Sequence, residues 1–261
     1  MAENQQLDFS QKAKESMQKS VQNQQVALNL NQYLRSDNVI KRLNQLVGEN
    51  SEKWISNILN VGTGSKQLRE CDPKTIVHAA IQSIALKLDL DKNLGFAYIV
   101  PYGKVAQFQM GYKGFIQLAM RSGQYKTMNV TAIREGQLIA NNILTGEIEF
   151  NEESKTSDKI IGYAAYFRLI NGFEKTLYMT SEQIEKHAKQ YSKMYNHETS
   201  LWKKDFEKMA LKTVLKLLLS KYGILSIDMQ VALKTDQSVI NDIEGAEIEY
   251  IDAEDVTDLN Q

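Results

Sequence analysis

From Val39 to Leu59 the apolar side chains fall at Val39, Ile40, Leu43, Leu46, Val47, Trp54, Ile55, Ile58 and Leu59, a broadly helical spacing that predicts one helix, or two broken at Gly48. Asp72-Pro73 places a capping residue before a proline suited to the first helical position. Ile76, Val77, Ala80, Ile81, Ile84, Ala85 and Leu88 follow at helical intervals, so an amphipathic helix is predicted to run to about Asp89. From Gly95 the period shortens to two. Residues 96–100 and 105–110 are short runs of aromatic and branched side chains separated by the turn residues Pro101-Tyr102-Gly103, which predicts a β-hairpin. In its second strand Ala106, Phe108 and Met110 share one face and Val105, Gln107 and Gln109 the other, so one face is expected to be buried and the other to present amides. Tyr112 to Gly123 returns to helical spacing, with Phe115, Ile116, Ala119 and Met120 on the apolar side and Lys113, Gln117 and Arg121 four apart on another.

Strands are predicted at Thr127 to Arg134, Glu147 to Asn151, Ile160 to Leu169 and Phe173 to Met179, the last two joined by the hairpin dipeptide Asn171-Gly172. Thr180 or Ser181 can cap a helix reaching Tyr191, and a long helix is predicted from Ser200 to Tyr222. The pattern is that of an α+β protein, a compact core of antiparallel β-hairpins or sheet packed with helices, including a long basic helix toward the C-terminus. The first 32 residues carry eight Gln and four Asn with isolated apolar side chains. Residues 1–34 are therefore expected to form a disordered, mobile arm, with a weak helix over Val26 to Leu34, residues 35–233 the core, and residues 234–261 an acidic tail that is mostly disordered.

Charge changes this picture only when it is counted by region. The 261 residues carry 31 Lys and Arg against 32 Asp and Glu, a formal charge of −1. From Asp236 to the end there is no Lys or Arg and there are nine acids, so the preceding body holds 31 bases against 23 acids and carries +8. One cysteine cannot make an internal disulfide or a cysteine-rich zinc site, which fits a reducing compartment. Met1 to Leu30 lacks the apolar run of an export signal, and no stretch has the ~18 apolar residues of a membrane span. A cytoplasmic protein with no membrane partner is expected.

Catalytic patterns are sparse. Val61-Gly-Thr-Gly-Ser-Lys66 fails the spacing of a phosphate loop and reads as a glycine-rich connection. His78, His187 and His197 have no metal-site spacing and read as surface or structural residues, and Cys71 reads as a buried or half-exposed thiol. The glycosylation pattern at Asn129 falls inside a predicted strand of a cytosolic chain and carries no meaning. Glu147, Glu149 and Asp158 are the acids a metal-dependent nuclease would use, although solvated strand edges account for them as well.

The basic elements say more. Lys204, Lys208, Lys212 and Lys216 recur every four residues and fall within a helical stripe of roughly 120°, opposite Phe206, Ala210, Val214 and Leu217. A solvated lysine face would explain the stripe, but only Asp205 and Glu207 lie among the six lysines between Trp202 and Tyr222. Uncompensated lysines repel one another unless a polyanion is present. A second cluster mixes cations, amides and rings: Tyr98, Tyr102, Lys104, Gln107, Gln109, Tyr112, Lys113, Arg121, Tyr125 and Lys126. Cations and amides hold phosphates and sugars, and a tyrosine that is not part of the core can carry a base on its face, so the mixture suits a single-stranded nucleic acid.

Three segments of these clusters, Phe96 to Tyr102, Gln109 to Gly123 and Trp202 to Gly223, closely resemble the RecT family of phage single-strand DNA annealing proteins, over about residues 35 to 233. The resemblance implies an ATP-independent recombinase, related to the λ Red annealing protein, that binds single-stranded DNA, pairs it with a complementary strand to give an annealed duplex, and assembles as a homo-oligomer in rings or helical filaments. It implies a phage exonuclease and the host single-strand binding protein as partners in a bacterial host cell. No cofactor and no catalytic or metal-binding residue is expected, with Mg²⁺ modulating DNA binding or assembly. Motifs and physical reading together nominate Lys104, Gln107, Gln109, Tyr112, Lys113, Arg121, Lys126, Lys204, Lys208, Lys212 and Lys216 as DNA-binding residues. A nuclease on the same DNA and a structural oligomer without annealing activity stand as the alternatives.

Overall fold

The structure, a computed structural model, describes residues 29–192, 194–198, 200–245 and 247–249. Its elements in chain order are α1 (Asp37–Val47), α2 (Ser51–Thr63), α3 (Lys66–Arg69), α4 (Pro73–Ala85), β1 (Ala97–Tyr102), β2 (Val105–Met110), α5 (Tyr112–Arg121), β3 (Tyr125–Arg134), β4 (Leu138–Asn142), β5 (Glu147–Phe150), β6 (Ile160–Leu169), β7 (Glu174–Thr180), α6 (Ser181–Tyr191), α7 (Leu201–Lys204), α8 (Phe206–Tyr222), α9 (Ile227–Thr235), β8 (Val239–Ile240) and β9 (Ile248–Glu249). The chain is mixed α and β with antiparallel pairing, as the periodicity predicts. Among the described residues no helix is long and apolar enough to cross a membrane.

Two compact units divide these elements. The first comprises, among the described residues, 29–90, Tyr98–Gln109 and Ser238–Glu249. Here α1, α2 and α4 pack together around Val39, Leu43, Ile55, Ile58 and Ile76. Gly62 leaves room for Leu30 and Ile76, whose methyl groups would meet any side chain placed there. Leu30 and Leu34 are core residues of this unit, so the core begins earlier than residue 35, while residues 1–28 of the expected arm lie outside the described residues. Asp72 caps α4 by accepting from the Lys74 amide at 2.9 Å, with Pro73 in its first turn, as predicted. The glycine-rich stretch is the end of α2 and a turn in which the Ser65 hydroxyl accepts from the Leu68 amide to start α3. Cys71 is buried, and burial, with Glu70 and Asp72 adding, pushes its thiol up to about 11. His78 is structural: it bonds the Tyr33 hydroxyl at 2.8 Å and the Ile240 carbonyl at 3.1 Å.

The second unit comprises Asp91–Ala97 and Met110–Gln237. Its centre is the antiparallel sheet β3-β6-β7, with α8 packed on it and α6 against β6 and β7. Tyr163, Ala165, Phe167 and Leu169 alternate along β6 as buried residues, and the rings of Tyr163 and Phe167 meet Phe206 and Tyr125 respectively. Asn171-Gly172 makes the β6–β7 turn, with Gly172 at φ 90° and its amide donating to the Leu169 carbonyl. Thr180 and Gln183 form a reciprocal capping box at the start of α6.

Three expectations need correction. The predicted helix from Ser200 to Tyr222 is two helices, because Asp205 leaves helical geometry (φ −153°, ψ 66°) and its carboxylate accepts from the Lys208 amide, starting a new N-terminus. The strand β4, which pairs with β5, and the helix α9, capped by Ser226, were not among the predicted elements. Nor does the region assigned to the acidic tail begin with free chain: Thr235 and Asp236 are buried, and Val239 and Ile240 form a buried strand against β9. Two apolar residues and an acid neutralised by lysines give that stretch reason to pack. Residues 250–261 lie outside the described residues.

Candidate nucleic-acid interface

Two glycines set the start of α5 in the second unit. The Gly111 amide donates to the Phe96 carbonyl at 2.9 Å, and a Cβ on Gly114 would collide with that same carbonyl. Close backbone approach here requires glycine. The helix buries Phe115, Leu118 and Ala119, packs against α8 and α9, and leaves Lys113, Met120 and Arg121 exposed. Lys126 is exposed on β3 and Lys204 on α7, and among the described residues neither they nor Lys113 has a carboxylate partner. Lys208 is exposed and pairs with Asp205. Tyr112 is half-buried. Tyr125 is half-buried and held against the core, its ring meeting Phe167 edge-on and its hydroxyl accepting from the Ile224 amide at 2.7 Å.

In the first unit Lys104 is exposed on the β1–β2 turn, and its carbonyl accepts from the Asp72 amide. Gln107 and Gln109 correct the expectation of a free amide face: they are 0% and 2% exposed. Gln109 Nε2 donates to Gln107 Oε1 at 3.0 Å, so the amides help to satisfy each other. The strand carrying them is covered on both faces, and its Phe108 amide donates to Ser238 of the returning chain. Strict apolar–polar alternation cannot distinguish this buried amide pair from a solvated face.

The lysine stripe is corrected in the same way. Lys212 is 5% exposed, and its Nζ lies 2.7 Å from Asp236 Oδ1. Lys216, half-buried, lies 2.7 Å from Asp236 Oδ2, and the Met110 amide donates to Oδ1 at 2.9 Å. The compensating acid missing from the helix sequence comes from the end of α9. Burial alone would raise the Asp236 carboxyl, but Lys212 and Lys216 outweigh it and hold the group below the usual carboxylate range. Burial lowers the Lys212 ammonium, with Lys216 adding to the effect and Asp236 opposing it only in part. One carboxylate against two ammonium groups leaves the cluster with a single net positive charge. Lys204, Lys208, Lys212 and Lys216 thus occupy four different environments.

Glu147 and Glu149 lie exposed on β5, and Asp158 is engaged by Lys155 and Arg134. Among the described residues no group of three His, Cys, Asp or Glu side chains could hold a metal ion. His187 lies beside Tyr191, ring centroids 4.5 Å apart, and burial followed by the nearby Lys216 lowers its pKa.

Fold and site together define a mixed α+β protein whose second unit combines an antiparallel sheet with helices bearing exposed cations, of which Lys113 and Lys204 have no acidic partner among the described residues. The sequence profile of the RecT family matches residues 52–253, and the chain belongs to that family. It is 46% identical over 243 residues to the uncharacterized protein YqaK of Bacillus subtilis, covering 91% of this chain and 84% of that one. It is also 32% identical over 179 residues to the protein RecT of Escherichia coli, covering 65% of each.

Proposed function

We propose that the chain binds single-stranded DNA and anneals it to its complement in homologous recombination, without nucleotide hydrolysis. The observation that carries this reading is structural. Segments 109–123 and 202–223, two of the motif segments that resemble the RecT family, contain α5 and α8, which pack together in one unit; exposed Lys113 on α5 and Lys204 just before α8 have no carboxylate partners among the described residues. Lysines so placed neutralise phosphates. A strand held by its backbone keeps its bases available for pairing, so base pairing supplies the driving force while the protein relieves phosphate repulsion between the strands.

The same reading takes the protein as a homo-oligomer, a ring or a filament, in which neighbouring copies bind successive stretches of one strand. Affinity then rises with DNA length through multivalency. A phage exonuclease supplying single strands and a host single-strand binding protein are the partners proposed for it, with Mg²⁺ modulating assembly. Electron microscopy of the full chain with oligonucleotides of increasing length, beside equilibrium binding, tests this reading: assemblies and affinity should both grow with length. Length-independent binding by isolated monomers would count against it.

A further inference from the structure

A cavity of about 360 Å³ lies wholly within the second unit, between α6, α7, α8 and the residues that follow α9. Lys212, Lys216 and Asp236 form one part of its lining, and His187, Tyr191 and Trp202 another. Asp236 already receives both ammonium groups and a backbone amide, so its acceptor capacity is largely taken. The lysines are less satisfied. Each ammonium has three N–H groups, and among the described residues Asp236 is the acceptor that each engages, through one bond. Lys212 keeps the remainder in a site almost closed to solvent. Spare donors and one uncompensated positive charge at a cavity wall are costly unless an anion completes them.

The other lining residues narrow the class of anion. Trp202 and Tyr191 offer ring surface, and among the described residues the His187 ring has no hydrogen-bond partner. The volume lies at the small end of ligand pockets. A phosphate carrying a planar base meets both demands, its oxygens accepting from Lys212 and Lys216 and its base lying against an aromatic ring. We propose that this cavity is a subsite for a single nucleotide, supplied either by a bound DNA strand or as a free mononucleotide. The proposal rests on the DNA-binding reading only for the first of these sources and requires no annealing activity.

Trp202 provides the signal. In the full chain carrying Trp54→Phe, Trp202 is the remaining tryptophan, and its fluorescence is followed on titration with dTMP, thymidine and inorganic phosphate. Saturable binding of dTMP, tighter than that of thymidine, is expected. Lys216→Met should weaken it roughly tenfold or more, the loss of a hydrogen bond between charged groups, and Lys216→Arg should restore much of it. A thermal melt of each variant confirms folding, which the half-buried position of Lys216 favours. Repeating the dTMP titration with oligo(dT) already bound separates the sources: competition assigns the cavity to the DNA strand, and unchanged affinity assigns it to free nucleotide. Absence of dTMP binding, or equal binding by folded Lys216→Met protein, overturns the proposal, whatever the outcome of an annealing assay.

Discussion

Lys212 Nζ lies 2.7 Å from Asp236 Oδ1 across 24 residues of sequence, and both side chains are buried. This contact ties the middle of α8 to the end of α9, and through the second carboxylate oxygen it also fixes Lys216. Asp236→Asn would leave two ammonium groups facing each other with no counter-charge. A loss of about 3–5 kcal/mol is expected, because removing one partner strands the other in a low-dielectric site. Urea denaturation of the variant beside the parent measures it, and a loss below about 1 kcal/mol would show the pair to be better solvated than its burial indicates.

Acid should weaken the protein through the same carboxylate. The folded-state pKa of Asp236 lies below the usual value, so its contribution is fully present above the unfolded pKa of about 3.9 and is lost as pH falls through the lower folded value. The denaturation midpoint is therefore expected to drop below about pH 4. In Asp236→Asn that part of the drop should be missing, which paired pH series of the two proteins would reveal.

Much of the architecture was legible in the sequence because local signals and tertiary packing agree there. The caps at Asp72 and Thr180, the Asn171-Gly172 turn and the strand β6 all lie where the sequence predicts. The candidate site was legible only in part. Lys113, Lys126 and Lys204 are exposed as their pattern suggests, whereas Gln107, Gln109 and Lys212 are buried by partners distant in sequence or on a neighbouring element. No local period announces that Asp236 will neutralise lysines 20 and 24 residues earlier. The same limit hid the break at Asp205, where a single carboxylate chooses capping over continuation of the helix.

Tyr125 separates a core role from a base-stacking role. Tyr125→Phe removes the hydroxyl that accepts from the Ile224 amide and keeps the ring on Phe167. Thermal stability should fall by the equivalent of about 1–2 kcal/mol, with single-strand affinity unchanged in the folded protein. A change in DNA affinity with stability intact would place Tyr125 on the DNA instead.

The exposed cations make a salt-dependence prediction. If Lys113, Lys126 and Lys204 each neutralise one phosphate, replacing all three by Ala should reduce the slope of log affinity against log salt by about 2, at roughly 0.7 per single-strand phosphate. Lys208→Ala, which breaks the pairing with Asp205, should change the slope less. Binding of a fixed-length oligonucleotide across a salt series supplies both slopes.

Strand annealing is the activity that the proposed function requires. Two complementary oligonucleotides, one carrying a fluorophore and the other a quencher, are mixed with the full-length protein in the absence of ATP, and quenching is followed in time. Annealing well above the spontaneous rate is expected, unaffected by added ATP and strongly reduced in the folded Lys113, Lys126 and Lys204 triple-alanine variant. Annealing at the spontaneous rate, or acceleration that depends on ATP, would contradict the proposed function.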